Sequence, residues 1–113
     1  MGRRVSLNRQ LVLEEALRVA DGAGGHAESW TPIGTLWAEM VARTGRERGG
    51  EAVPVSATSY RITVRAAPEG APSRPVPGQR FRDGTRVFRI EAVAERDARA
   101  RFLTCFAEEE VAL

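Results

Sequence analysis

Side chains able to do chemistry are few in this chain and badly spaced for it. There is one histidine, His26, in a Gly-rich segment, and one cysteine, Cys105, with no second Cys or His at ligand spacing. A lone cysteine makes no internal disulfide, and no zinc set or other metal site can be assembled, so no cofactor is expected. Gly22-Ala23-Gly24-Gly25 looks like the start of a phosphate-binding loop, but that motif ends in Lys followed by Ser or Thr. All 17 basic residues here are arginine, so the phosphate-loop reading fails. Scattered carboxylates offer no nucleophile–base pair, and an enzyme is not expected. His26 is read as a surface loop residue and Cys105 as a small core residue.

What remains are side chains suited to contact. Trp30 and Trp37 are the two tryptophans, a residue type enriched at binding hot spots. Trp37 is expected in the core, whereas Trp30 is evenly balanced between core and interface. Arg46, Glu47 and Arg48 form a charged loop tip that is either solvated or salt-bridged to a neighbouring subunit. Glu108, Glu109 and Glu110 form an acidic run near the end, read as solvated or as a partner for arginines across a subunit contact. These seven residues are the candidate contact positions.

The chain of 113 residues reads as a single domain, 1–113, large enough to bury roughly two thirds of its unfolded surface. Hydrophobic residues at 42% and charged residues at 28% suit a globular protein. No apolar run approaches the ~20 residues of a helical membrane span, so no membrane partner is expected. The basic start, Met1 to Arg4, lacks the apolar stretch of a signal peptide, which implies a cytoplasmic product. Net charge is +2 and the acidic residues are interspersed among the arginines, unlike the concentrated basic patch of a DNA-binding module.

Trp30 to Arg43 organises the chain. From Thr35 its residues alternate, with Leu36, Ala38, Met40 and Ala42 on one side and Trp37, Glu39, Val41 and Arg43 on the other. Helix formers are present, but Pro32 and Gly34 favour a strand. From Leu7 to Val19 two periods compete: Leu11, Leu13, Leu17 and Val19 fit a strand, while Leu13, Ala16, Leu17 and Ala20 fit a helix, which propensity favours. Tyr60 to Ala66 is a clear strand with Tyr60, Ile62, Val64 and Ala66 apolar. The run from Ala67 to Gln79, with four prolines, reads as an exposed, semi-extended loop. Asp83-Gly84 between Gln79–Arg82 and Thr85–Ile90 predicts a hairpin with a type I′ turn. Arg101 to Ala107 is apolar on both faces and should be covered on both. Short strands joined by hairpins and long loops give a mainly β fold, a small antiparallel barrel or sandwich.

The order and spacing of several segments resemble the phage head–tail joining family of head-completion, or stopper, proteins. They are Gly24-Gly25, Trp30, Thr35 to Glu39, Gly45-Arg46-Glu47, Tyr60 to Arg65, Gln79-Arg80-Phe81, Asp83-Gly84, Phe88-Arg89-Ile90 and Glu95-Arg96-Asp97. The chain is most similar in character to members carried by prophage-like gene transfer agents. The resemblance implies that Leu11 to Arg18 is a strand. It also implies a barrel assembling as a ring, typically a hexamer, between the portal-bound adaptor and a tail terminator or tail tube. Such a ring would retain packaged double-stranded DNA without reading its sequence. It would be built in the cytoplasm and reside in the neck of the particle. Residues 46–59 and 67–79 match least well and are expected to carry contacts particular to this particle. Six arginine–phosphate contacts in a lumen would grip DNA strongly, by about 10³–10⁵ in salt-sensitive affinity, so a near-neutral or acidic lumen is expected. An alternative of a different class is an OB-like barrel binding single-stranded nucleic acid, with Arg61 and Arg65 beside Phe81 and Phe88 as a stacking platform.

Overall fold

The computed structural model describes residues 4–20, 22, 24–43 and 58–110. Six strands carry the fold: β1 Arg9–Ala20, β2 His26–Ala42, β3 Ser59–Arg65, β4 Arg80–Asp83, β5 Arg86–Glu95 and β6 Phe102–Glu110. They close into a barrel in the order β1-β2-β3-β6-β5-β4, with every neighbouring pair antiparallel.

Alternation builds the interior. Leu11 and Leu13 from β1, Ala38 from β2, Ile62 and Val64 from β3, Phe81 from β4, Phe88 and Ile90 from β5, and Leu103, Cys105 and Ala107 from β6 are all buried. Each set is spaced by two, as a strand requires. In β1 this period defeats the helical one: Ala16, Leu17 and Ala20, which a helix would place beside Leu13, are exposed. Pairing with β2 along its whole length and with β4 at Val12–Glu14 supplies what local propensity lacks.

Two irregularities shape the barrel. Leu13 pairs with Gly34 but Glu14 pairs with Pro32, so Ile33 is an extra residue in β2. Ile90 pairs with Ala107 and Ala92 with Phe106, leaving Glu91 extra in β5. Such bulges bend the bulged strand and increase its twist. Past the first bulge β1 loses β4, and β2 has not yet met β3, which pairs only with Ala38–Ala42. Glu15–Ala20 and His26–Thr31 therefore leave the barrel as a two-stranded ribbon, about 20 Å long at the usual rise. The molecule measures 54 × 37 × 23 Å.

Three expectations change. Asp83 pairs with Arg86, so the hairpin turn is Gly84-Thr85, one residue later than expected. Gly84 has φ +63° while Thr85 is not left-handed, so only the first central position needs positive φ and a type I′ turn is excluded. The Pro-rich run is a strap with its own turns, held by Arg74 Nη1 donating to Ala67 O at 3.0 Å and by Val76 N donating to Gln79 Oε1 at 3.0 Å. Its Pro75 is fully buried, and Gly78 and Gln79 exchange backbone hydrogen bonds with Ile90. Trp37 is 53% exposed instead of in the core. Its position in β2 faces outward, opposite to Leu36 and Ala38, where β3 has just ended.

The outer face of β6, expected to be covered, is only half-buried, with guanidinium groups over two of its rings. Arg43 lies over Phe106 at 5.5 Å and Arg65 over Phe102 at 5.8 Å.

Candidate interaction surface

Three surfaces could do more than hold the barrel together. The first closes one barrel end, where β3 and β5 begin and β6 finishes. Arg86 grips Glu109 with two hydrogen bonds, 2.8 and 3.1 Å, and donates to Tyr60 OH at 3.2 Å. The same guanidinium lies 5.0 Å from the Phe88 ring centre, and Tyr60 meets Phe88 edge-on at 5.3 Å. Arg9 and Asp83 pair beside it at 2.7 Å. The Arg86 hydrogen bonds hold the Glu109 carboxyl below the ordinary carboxylate range, and Glu109 in turn raises Arg86. The charges of Arg86 and Arg9 at this end are thus each paired with a carboxylate of the same chain, and together these groups form a plug.

The second surface lies on the outside of β1 and β4. Glu14 accepts from Arg80 Nε at 2.7 Å and from Arg82 Nε at 2.8 Å, with only 5% of its side chain exposed. Burial pushes the Glu14 carboxyl up, but the hydrogen bonds and charges of Arg82 and Arg80 together outweigh it and keep it below the ordinary range. Arg80 also stacks on Trp30 at 4.2 Å. Trp30 is thus half-buried under a cation, settled against its own chain at the root of the ribbon.

The third surface is apolar. Leu7, Thr35, Leu36, Trp37 and Arg65 line a groove of about 500 Å³ beside the point where β2 and β3 part. On the ribbon, Leu17 is 55% exposed.

The positions singled out from the sequence do not converge. Glu108 accepts a hydrogen bond from Ser59 Oγ, Glu109 belongs to the plug, and Glu110 is exposed. Trp30 sits near the opposite barrel end from these three, and Arg46, Glu47 and Arg48 lie outside the described residues. Sequence reading missed the Glu14–Arg80–Arg82 clamp, although two signals were there. Glu14 interrupts an apolar run, and Arg80-Phe81-Arg82 alternates so that both arginines share a face. The stacking platform is overturned: Phe81 and Phe88 are 0% exposed and cannot meet a base.

Among the described residues no cluster of His, Cys, Asp and Glu is placed to hold a metal ion, and no helix is long and apolar enough to cross a membrane. Burial pushes the Cys105 thiol up to about 12, so it stays protonated and inert.

A family model described as phage head completion protein matches residues 3–110. A chain in a structure of the virion of a native gene transfer agent (GTA) particle is 59% identical, with 96% of this chain and 100% of that chain covered and a TM-score of 0.77. The solution structure of protein SF1141 from Shigella flexneri 2a is 20% identical over 95% of this chain and 96% of that one, with a TM-score of 0.70. That second likeness is one of fold alone. None of the curated proteins matches.

Proposed function

This chain belongs to the phage head completion protein family, and from that premise we propose that it is a head-closure protein of a gene-transfer-agent-like particle. Copies assemble as a ring, six in the simplest form, between the portal-bound adaptor and the tail. The ring retains packaged double-stranded DNA and presents the surface on which the tail terminator or tail tube docks. Subunits are made in the cytoplasm and end in the neck of the particle. The observation that carries this reading is likeness over 96% of the chain, at 59% identity, to a chain in a gene transfer agent virion.

The physics of the barrel supports it. A closed ring needs unlike, complementary surfaces on each subunit, and this subunit has a plug at one end and a projecting ribbon at the other. DNA that must leave rapidly cannot be held by a ring of free arginines. Arg9, Arg80, Arg82 and Arg86 are each tied to a carboxylate of their own chain, in keeping with a lumen that is near neutral or acidic.

Particles made without this protein test the reading. Filled heads that leak DNA, or that never acquire tails, are expected. Complete particles that still transfer genes would overturn it.

A further inference from the structure

The ribbon and the groove are unlike surfaces of one chain, and their chemistry matches. On the ribbon, Glu15 and Leu17 are two residues apart and share a face. Their cross-strand partners there are Thr31 and Ser29, both small and exposed, so Leu17 stands clear of its surroundings. The groove presents Leu7, Leu36 and the outward Trp37, with Arg65 as its charged wall. An apolar knob flanked by a carboxylate thus exists on the same molecule as an apolar groove flanked by a guanidinium. Among the described residues both ribbon strands are also paired on one side only: β4 leaves β1 after Glu14, and β3 reaches β2 only from Ala38. Among the described residues nothing else pairs with the ribbon, so embracing it dismantles no strand pair of the barrel.

We propose that the ribbon of one copy docks in the groove of the next, with Leu17 packed against Trp37 and Leu36, and Glu15 paired with Arg65. The contact is head-to-tail, because knob and groove are different surfaces, and such contacts close into rings when the rotation per subunit permits. This inference rests on the ring reading above and specifies its subunit interface. It assigns Trp37 the role of a contact anchor, which is the kind of residue that dominates interfaces, and explains a tryptophan left 53% exposed.

Particles built with Leu17→Cys and Trp37→Cys together provide the test, since the native Cys105 is buried. Mild oxidation is expected to give a reducible ladder of chain multiples up to the closed ring, absent from either single variant. Double-variant chains that enter tailed particles in normal amounts yet remain uncrosslinked, or that link to a different protein, would overturn the interface. A second pair of variants avoids removing the tryptophan. Glu15→Arg and Arg65→Glu alone are each expected to lower gene-transfer titre at least ~10-fold through like-charge contact, and the combined exchange to restore it. A double exchange no better than the worse single one, or single variants at full titre, would overturn it as well. Several copies at the neck without the crosslink would reject this interface alone, whereas absence from the neck would reject the ring reading itself.

Discussion

The barrel and the ribbon are made from the same two strands but are held by opposite means. Leu11 and Leu13 of β1 are fully buried, with β2 on one side and β4 close by on the other. Four residues further on, Leu17 is 55% exposed on a strand with a single neighbour. Nothing changes in residue type between them; what changes is the number of neighbouring strands. Buried side chains lie where strands close on themselves, and Leu17 is exposed where closure stops.

The contrast is most sharply broken inside the barrel. Phe88→Ala removes a fully buried ring that meets Tyr60 and Arg86, and about 3–5 kcal/mol is expected to be lost. Against a typical total of about 5–15 kcal/mol, the midpoint of denaturant unfolding should fall steeply. A midpoint near wild type would mean that the barrel interior does not carry the fold.

Glu14 sits at the border between the two regions. Glu14→Gln keeps the shape but removes the charge between Arg80 and Arg82, and should cost about 1–3 kcal/mol. Acid gives the same information for the native chain. Glu14 and Glu109 are held below their ordinary value of 4.5, so their contribution is present above that value and disappears as pH falls through the lower folded values. Unfolding midpoints should be flat from neutral pH down to about 5 and decline below 4.5, with a shallower decline in Glu14→Gln. Equal acid sensitivity in wild type and variant would remove the clamp from the account.

The smallest effect on the fold belongs to the ribbon. Leu17→Ser should shift stability within about ±0.5 kcal/mol, as exposed sites do, while lowering the yield of complete particles. A large loss of stability would make the ribbon part of the core.

Legibility from the sequence followed the same divide. Period-two strands such as Tyr60 to Ala66 were plain, because burial on one face writes itself into alternation. In β1 the residues fit both periods and propensity favours the helix, so only the family resemblance tips the balance toward the strand that long-range pairing produces. Residue type favours the core for Trp37, yet alternation sets it on the face opposite Leu36 and Ala38, where it is 53% exposed. The clamp on Glu14 joins residues 66 and 68 positions apart, and the bulge at Ile33 has no residue signature beyond the adjacent Pro32 and Gly34. Pro75 was hidden for a related reason: a proline-rich run reads as solvent-facing, yet Pro75 is fully buried.

Imaging of the intact neck tests the central claim most directly. Averaged density between portal-bound adaptor and tail is expected to show a closed ring of these barrels, with the ribbon of each reaching its neighbour. A neck whose density is fully accounted for by other proteins, with no barrel of this kind around the DNA path, would contradict it.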